Sequence, residues 1–365
     1  MNKINYFICS FVVCSAFFST AQVNEVKVLK AGDPVEQKSD STAIPAKAQE
    51  KYNEGIGFFE QKKFDESVAA FSVAIQLAPT FGKAYLNRGY AYLESKNTKL
   101  AKADFEFATR YDSSLDQGFY ELGILAETDG QAEEALRAYD KAIASNPSVK
   151  YYYRRAVLYA NQGEYARAKQ DLTAAVQLDK NDALVLNDRG SVNKQLGDME
   201  NAIADYKAAV EANPKMTMAW NNLGSTYRKK GDLSKSIEAY TAAISSDPSN
   251  FLSYNNRGVA KMDNNDWKGA IADFRKAIDL NPNYKFAHNN LAGAYLKLKQ
   301  YEDAVTAATK AIQLDQSYGV AYYNRGAAYE MLREMRKACE DWSKAGELGV
   351  ESAQAYFQNS DCSNQ

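Results

Sequence analysis

"AWNNLGSTYRKKGDLSKSIEAYTAAISSDPSN", residues 219–250, decides the fold. Trp220, Leu223, Gly224 and Tyr227 fall at helical spacing, and Ser236, Tyr240 and Ala243 do so further on. "KKGDL" between the two runs is a turn, and Pro248 stops the second run. The stretch reads as two antiparallel helices, each with one apolar stripe.

It is one copy of many. Pro214, Pro248 and Pro282 stand 34 residues apart, Pro79 and Pro147 stand 68 apart, and Pro147 and Pro214 stand 67 apart. A fixed period of this length means a stacked array of one supersecondary unit, which overrides the two or three domains that length alone suggests. Nine copies align: 48–81, 82–115, 116–148, 149–182, 183–216, 217–250, 251–284, 285–318 and 319–352. Seven carry glycine at the slot of Gly224; Ala156 and Ala292 fill it in the other two. Alanine or serine follows twelve residues later, and then usually an aromatic: Phe71, Phe105, Tyr139, Tyr206, Tyr240, Phe274 and Trp342, with Leu172 and Ala308 as exceptions. Three residues further on, all nine copies have alanine, from Ala74 to Ala345. Small residues on both helices let the backbones approach closely.

Composition agrees with a large buried core: 45% of the 365 residues are hydrophobic and 25% are charged. The formal net charge of -2 excludes a nucleic-acid binder that lives on phosphate contacts. Residues 1–21 are expected to be a signal peptide: one lysine, the short apolar run "YFICSFVVCSAFF", then Ser19 and Ala21 at cleavage-site spacing. The alternatives are an uncut membrane anchor, or lipidation at Cys14, which Val13 disfavours. Cleavage near Ala21 leaves a periplasmic or secreted chain with no membrane span. Residues 22–47 are expected to be a polar tether. The mature chain keeps two cysteines, Cys339 and Cys362, a candidate disulfide if not two free thiols.

The pattern resembles the tetratricopeptide repeat family. Residues 219–250 match its W-x-x-L-G-x-x-Y, A-x-x-x-F-x-x-A, P pattern, with Ser236 in place of one alanine, and the resemblance covers 48–352. It implies an all-α, right-handed superhelical solenoid of nine helix-turn-helix repeats with a concave inner face. Residues 353–365 are expected to supply a cap helix and tail.

The nine copies serve as their own alignment. Arg88, Arg155, Arg189, Arg257 and Arg325 precede the glycine slot in five copies, and the same five carry Asp104, Asp171, Asp205, Asp273 and Asp341 before the aromatic slot. The other four have alanine there: Ala70, Ala138, Ala239 and Ala307. Five salt bridges within repeats are expected, with leucine against alanine as the apolar equivalent in three copies. Shared descent of one repeat type would give the same co-occurrence without contact.

Asparagines form two further series. Asn53, Asn87, Asn222, Asn256, Asn290 and Asn324 stand two residues before the glycine slot, and Asn187, Asn221, Asn255 and Asn289 stand one residue earlier still. The resemblance places these slots on the concave groove. An amide both donates and accepts, so a ladder of them could grip a peptide backbone; alternatively, the amides tie neighbouring hairpins together. Met218, Leu252 and Phe286, in line with Leu184 and Val320, would form an apolar wall beside them. The carboxylate clamp by which chaperone-tail binders of the family work is not matched, since its opening slot never holds lysine.

Catalytic material is scarce. The single histidine, His288, occupies the slot of Trp220 and Tyr254, and no metal-ligand cluster, cofactor motif, phosphate loop or nucleophile motif is present in the sequence. The expectation is a non-enzymatic scaffold, without cofactor, that binds a protein or peptide partner in its groove. The rival is a structural component of a larger envelope assembly, held by its convex face and termini. An enzyme would need a catalytic domain for which no residues remain.

Overall fold

The computed structural model describes residues 44–359 and Cys362. The expected signal peptide and the expected tether up to residue 43 lie outside them. All the described secondary structure is helical, and the chain divides between Lys180 and Asn181 into two compact units. The N-terminal unit holds four hairpins: α1 (Ala46–Glu60) with α2 (Phe64–Leu77), α3 (Gly82–Glu94) with α4 (Thr98–Tyr111), α5 (Asp116–Thr128) with α6 (Ala132–Ser145), and α7 (Val149–Asn161) with α8 (Tyr165–Leu178). The C-terminal unit holds five: α9 (Ala183–Gln195) with α10 (Met199–Ala212), α11 (Thr217–Lys230) with α12 (Leu233–Ser246), α13 (Phe251–Asp263) with α14 (Trp267–Leu280), α15 (Lys285–Lys297) with α16 (Tyr301–Leu314), and α17 (Gly319–Met331) with α18 (Met335–Glu347). A nineteenth helix, α19 (Glu351–Asn359), follows. The first helix starts at Ala46, inside the stretch expected to be tether. Pro45 stands at its N-cap with φ −55°, a value the proline ring imposes in any case.

A ring laid on bare backbone closes the hairpin. A Cβ built on Gly224 would come within 2.9 Å of the Tyr240 ring, closer than real atoms allow, and Tyr240 is fully buried. The two copies that place a Cβ there have no ring opposite. Ala156 goes with Leu172 and Ala292 with Ala308, all four fully buried. Ring and methyl compete for one volume, so the slots vary as a pair. Where serine replaces the alanine of the second helix, its hydroxyl finds a backbone acceptor: Ser67 Oγ donates to the Gly55 carbonyl at 2.9 Å and Ser236 Oγ to that of Gly224 at 2.8 Å.

The turn between the two helices needs one left-handed residue. Gly231 supplies it at φ 89°, with Gly130, Gly163 and Gly197 in the same slot of other copies. Five copies hold a side chain there instead: Lys62, Lys96, Asn265, Lys299 and Arg333, at φ 59° to 63°. Left-handed backbone costs a residue with a Cβ roughly 1–2 kcal/mol, and asparagine less.

At the C-terminal end α19 covers the last hairpin. Tyr356 tilts against Trp342 and meets Tyr323 edge-on, with ring centroids 5.5 and 5.9 Å apart. Ala353 is fully buried. Cys339 of α18 is bonded to Cys362, their Cα atoms 5.5 Å apart.

Two outcomes are expected in urea unfolding. Gly224→Ala should lower stability by about 1–3 kcal/mol through overpacking, and adding Tyr240→Leu should recover part of that loss, as a double-mutant cycle would record. Lys96→Gly and Lys299→Gly should each raise stability by about 1 kcal/mol, since they relieve left-handed strain without touching the core.

Candidate functional site on the first helices

Two sets of side chains expected from the sequence meet on or beside the first helices. The arginine set is bound within each hairpin. Arg88 Nε and Nη2 each donate to Asp104 at 2.8 Å, and Arg325 Nε and Nη2 to Asp341 at 2.8 Å. Arg155 reaches Asp171 at 2.8 and 2.6 Å, Arg189 reaches Asp205 at 3.0 and 2.5 Å, and Arg257 reaches Asp273 at 2.9 and 2.7 Å. The planar fork matches the carboxylate in every case. The bond to Asp341 raises the pKa of Arg325, while burial raises that of Asp341 against the pull of the guanidinium. A second carboxylate contact recurs four residues after the arginine in two copies, from Asn193 to Asp205 and from Lys261 to Asp273, both at 2.8 Å.

The remaining guanidinium nitrogen ties the hairpin to the one before it. Nη1 of Arg88, Arg257 and Arg325 donates to Ser72, Thr241 and Thr309 at 2.9, 3.1 and 3.2 Å, and Nη1 of Arg155 to Asp140 at 2.5 Å. Reading copies one at a time misses this. The signal is a hydroxyl sixteen residues before Arg88, Arg257 and Arg325 or an acid fifteen before Arg155; sixteen residues ahead of Leu223 and Leu291 stand Lys207 and Arg275.

The amides are not an open ladder. Asn222 Nδ2 donates to Asn187 Oδ1 at 3.0 Å, Asn290 to Asn255 at 3.1 Å, and Asn324 to Asn289 at 2.9 Å, always across 35 residues. Asn187, Asn255, Asn289, Asn290 and Asn324 are at most 1% exposed. Asn256 is buried in the same slot, while Asn221 Nδ2 donates to the Thr217 carbonyl and to Ser253 Oγ. In the N-terminal unit the rung is Asn87 to the Tyr52 hydroxyl at 2.9 Å. The physical reason is stacking: the next first helix lies one residue out of step, so each amide meets the slot before its own in the preceding copy. The sequence held the signal, because Asn222, Asn256, Asn290 and Asn324 each have asparagine 35 residues earlier. Among the amide atoms buried without a hydrogen-bond partner are Asn221 Oδ1, Asn289 Nδ2 and Asn290 Oδ1.

Beside the rungs, Leu184, Met218, Leu252, Phe286 and Val320 are all half-buried, one per hairpin of the C-terminal unit. Successive first helices of that unit touch one another while its second helices stand further apart, so the first helices line the inside of the bend. Phe286 packs edge-on between Tyr284 and Tyr318, at 5.3 and 5.5 Å. His288 is buried against the Pro282 carbonyl at 2.9 Å, as Trp220 Nε1 is against that of Pro214 at 3.0 Å. Burial lowers its pKa. Among the described residues no cluster of three His, Cys, Asp or Glu side chains could hold a metal, and no helix is long and apolar enough to cross a membrane.

With this geometry the comparisons agree. Models described as tetratricopeptide repeat match residues 82–114, 120–183, 187–251, 251–284 and 286–318. The chain belongs to the tetratricopeptide repeat family. It is 29% identical over 145 residues to human tetratricopeptide repeat protein 6, covering 39% of this chain and 28% of that one. It is 33% identical over 142 residues to rat serine/threonine-protein phosphatase 5, covering 38% and 28%. The chain thus spans well under two thirds of these relatives. Among solved structures, the C-terminal part of a repeat protein from Cytophaga hutchinsonii aligns with a TM-score of 0.54 at 20% identity, covering 65% of this chain and 98% of that one. MamA aligns with a TM-score of 0.42 at 27% identity, covering 45% and 96%.

Asp341→Ala alone should cost about 3–5 kcal/mol, because it strands a guanidinium that is 19% exposed; Arg325→Leu with Asp341→Ala, the pair found in other copies, should restore most of it. Thermal unfolding of the two variants checks this.

Proposed function

We propose that this chain is an exported, non-enzymatic scaffold that binds a peptide or protein segment on the inner face of its C-terminal unit. Family membership supports a protein-interaction module. The observation that carries the reading is the apolar line from Leu184 to Val320, half-exposed on every first helix of that unit. An extended or helical ligand could set apolar side chains against it. The asparagines contribute by fixing the spacing of that line. Export rests on residues 1–21 of the sequence.

The second reading, a component of an envelope assembly that uses its outer face, has its own support. Val73 and Leu77 of α2 and Phe107 and Tyr111 of α4 are 37–41% exposed on second helices. Peptides selected from a displayed library on the immobilised chain separate the two. Changing Met218, Leu252 and Phe286 together to Asp should weaken the selected peptides at least ~10-fold, the loss of about 1.4 kcal/mol or more. Changing Phe107 and Tyr111 to Ser should leave them bound. The reverse pattern transfers the function to the second helices.

A further inference from the structure

We propose that α19 is the first helix of a tenth repeat, latched onto the last hairpin by the Cys339–Cys362 bond, and that reduction of this bond by a dithiol lets α19 come away. The sequence of α19 follows that of α17 at the repeat period: 34 residues on, Ala321, Tyr322, Tyr323 and Asn324 are answered by Ala355, Tyr356, Phe357 and Gln358. Tyr356 thus takes the slot of Trp220, Tyr254, His288 and Tyr322. With Ala353 and Phe357 it joins Tyr323, Trp342 and Ala345 in one apolar cluster, as the first helix of a next copy would.

Each other first helix is held by a second helix of its own, and among the described residues none follows α19. Its nine residues do not hold a helix by themselves, since isolated helices shorter than about 12–15 residues are marginal in water. The seat is also poorly satisfied. Glu330, near the end of α17, has its Oε2 buried without a hydrogen-bond partner, and so has Ser352 of α19 its Oγ. Burial and the Glu330 carboxylate raise the pKa of Tyr356, which places Glu330 beside the docked helix. Departure of α19 would hydrate both groups. What offsets this is covalent. Cys362 lies beyond α19 and is bonded back to Cys339 of α18, with 23 residues of separation that include the whole helix. A cross-link acts by removing the open states of the loop it closes, and here those are the states with α19 undocked.

The opening step is thiol–disulfide exchange. One thiolate of the dithiol attacks a cysteine sulfur, and the other cysteine leaves as a thiolate and takes up a proton. The second thiolate of the reductant then displaces the first cysteine, which is protonated in turn. The chain gains two electrons and two protons, and the reductant closes its own disulfide. Both cysteines are buried, so the reductant reaches them only as the seat loosens. Afterwards α19 stays attached through residues 348–350, where Gly349 turns the chain at φ 87°. The surface it uncovers is the one Tyr356 covers on Trp342 and Tyr323.

Hydrogen exchange on the full chain, with and without dithiothreitol, tests this, with peptide mapping to read the state of the bond. Reduction should raise exchange of the α19 amides at least ~30-fold and leave the helices α9 to α16 as they were. Reoxidation should restore the protection. Cys362→Ser should exchange like the reduced chain whether or not the dithiol is present. Equal protection of α19 in the bonded and reduced chains, high or low, overturns the proposal. Loss of protection throughout the C-terminal unit overturns it too, because the bond would then prop the fold and not the last helix. So does mapping that finds Cys339 and Cys362 as free thiols in the air-oxidised chain. Should the variant fail to fold, the comparison of bonded and reduced unaltered protein decides alone.

Discussion

The ring of Tyr240 lying on the bare backbone of Gly224 is the contact on which each hairpin depends. It sets how closely the two helices come together, and thereby which residues around it must be small. Ser236 and Ala243 flank the ring on the second helix and are fully buried. Ala156 with Leu172 and Ala292 with Ala308 show that the constraint is a shared volume rather than a residue type. Packing at crystal density leaves room for the ring or the methyl but not both. Slots just outside this contact are freer. One step away, the array accepts an arginine fork on aspartate in five copies and leucine with alanine in three.

Stacking adds a second layer of constraint, carried by polar groups. Four of the five arginines also reach a hydroxyl or acid of the hairpin before them, as Arg88 reaches Ser72 and Arg325 reaches Thr309. Each asparagine rung likewise bridges two copies. Apolar surfaces alone would allow one hairpin to slide on the next, whereas a buried amide that loses its partner is costly. The polar rungs thus fix register, while the apolar core supplies most of the adhesion.

Much of this was legible in the sequence. Prolines in one register revealed the hairpins, and the joint appearance of Arg257 with Asp273, and of Leu223 with Ala239, pointed to one spatial slot. The paired exceptions at Ala156 and Leu172 carried the same kind of signal. The asparagines were legible as a series, with a peptide ladder and a tie between hairpins both left open; choosing between them needs a comparison across 35 residues instead of within one copy. The left-handed turns at Lys62, Lys96 and Arg333 were not legible, since lysine and arginine do not announce positive φ. Nor was the division at Lys180, which follows no change in composition.

Function in such an array has to settle on slots that the structure can spare. Asn290 and Asn324 cannot be spared, because each holds its neighbour in register. Met218, Leu252 and Phe286 sit beside those rungs, half-exposed and outside the ring contact, so they are free to vary with a ligand. In three copies the rung slot itself was altered, to Glu121, Arg154 and Asp188. Shape follows from the shared contacts, and whatever discriminates a partner follows from the side chains those contacts leave free.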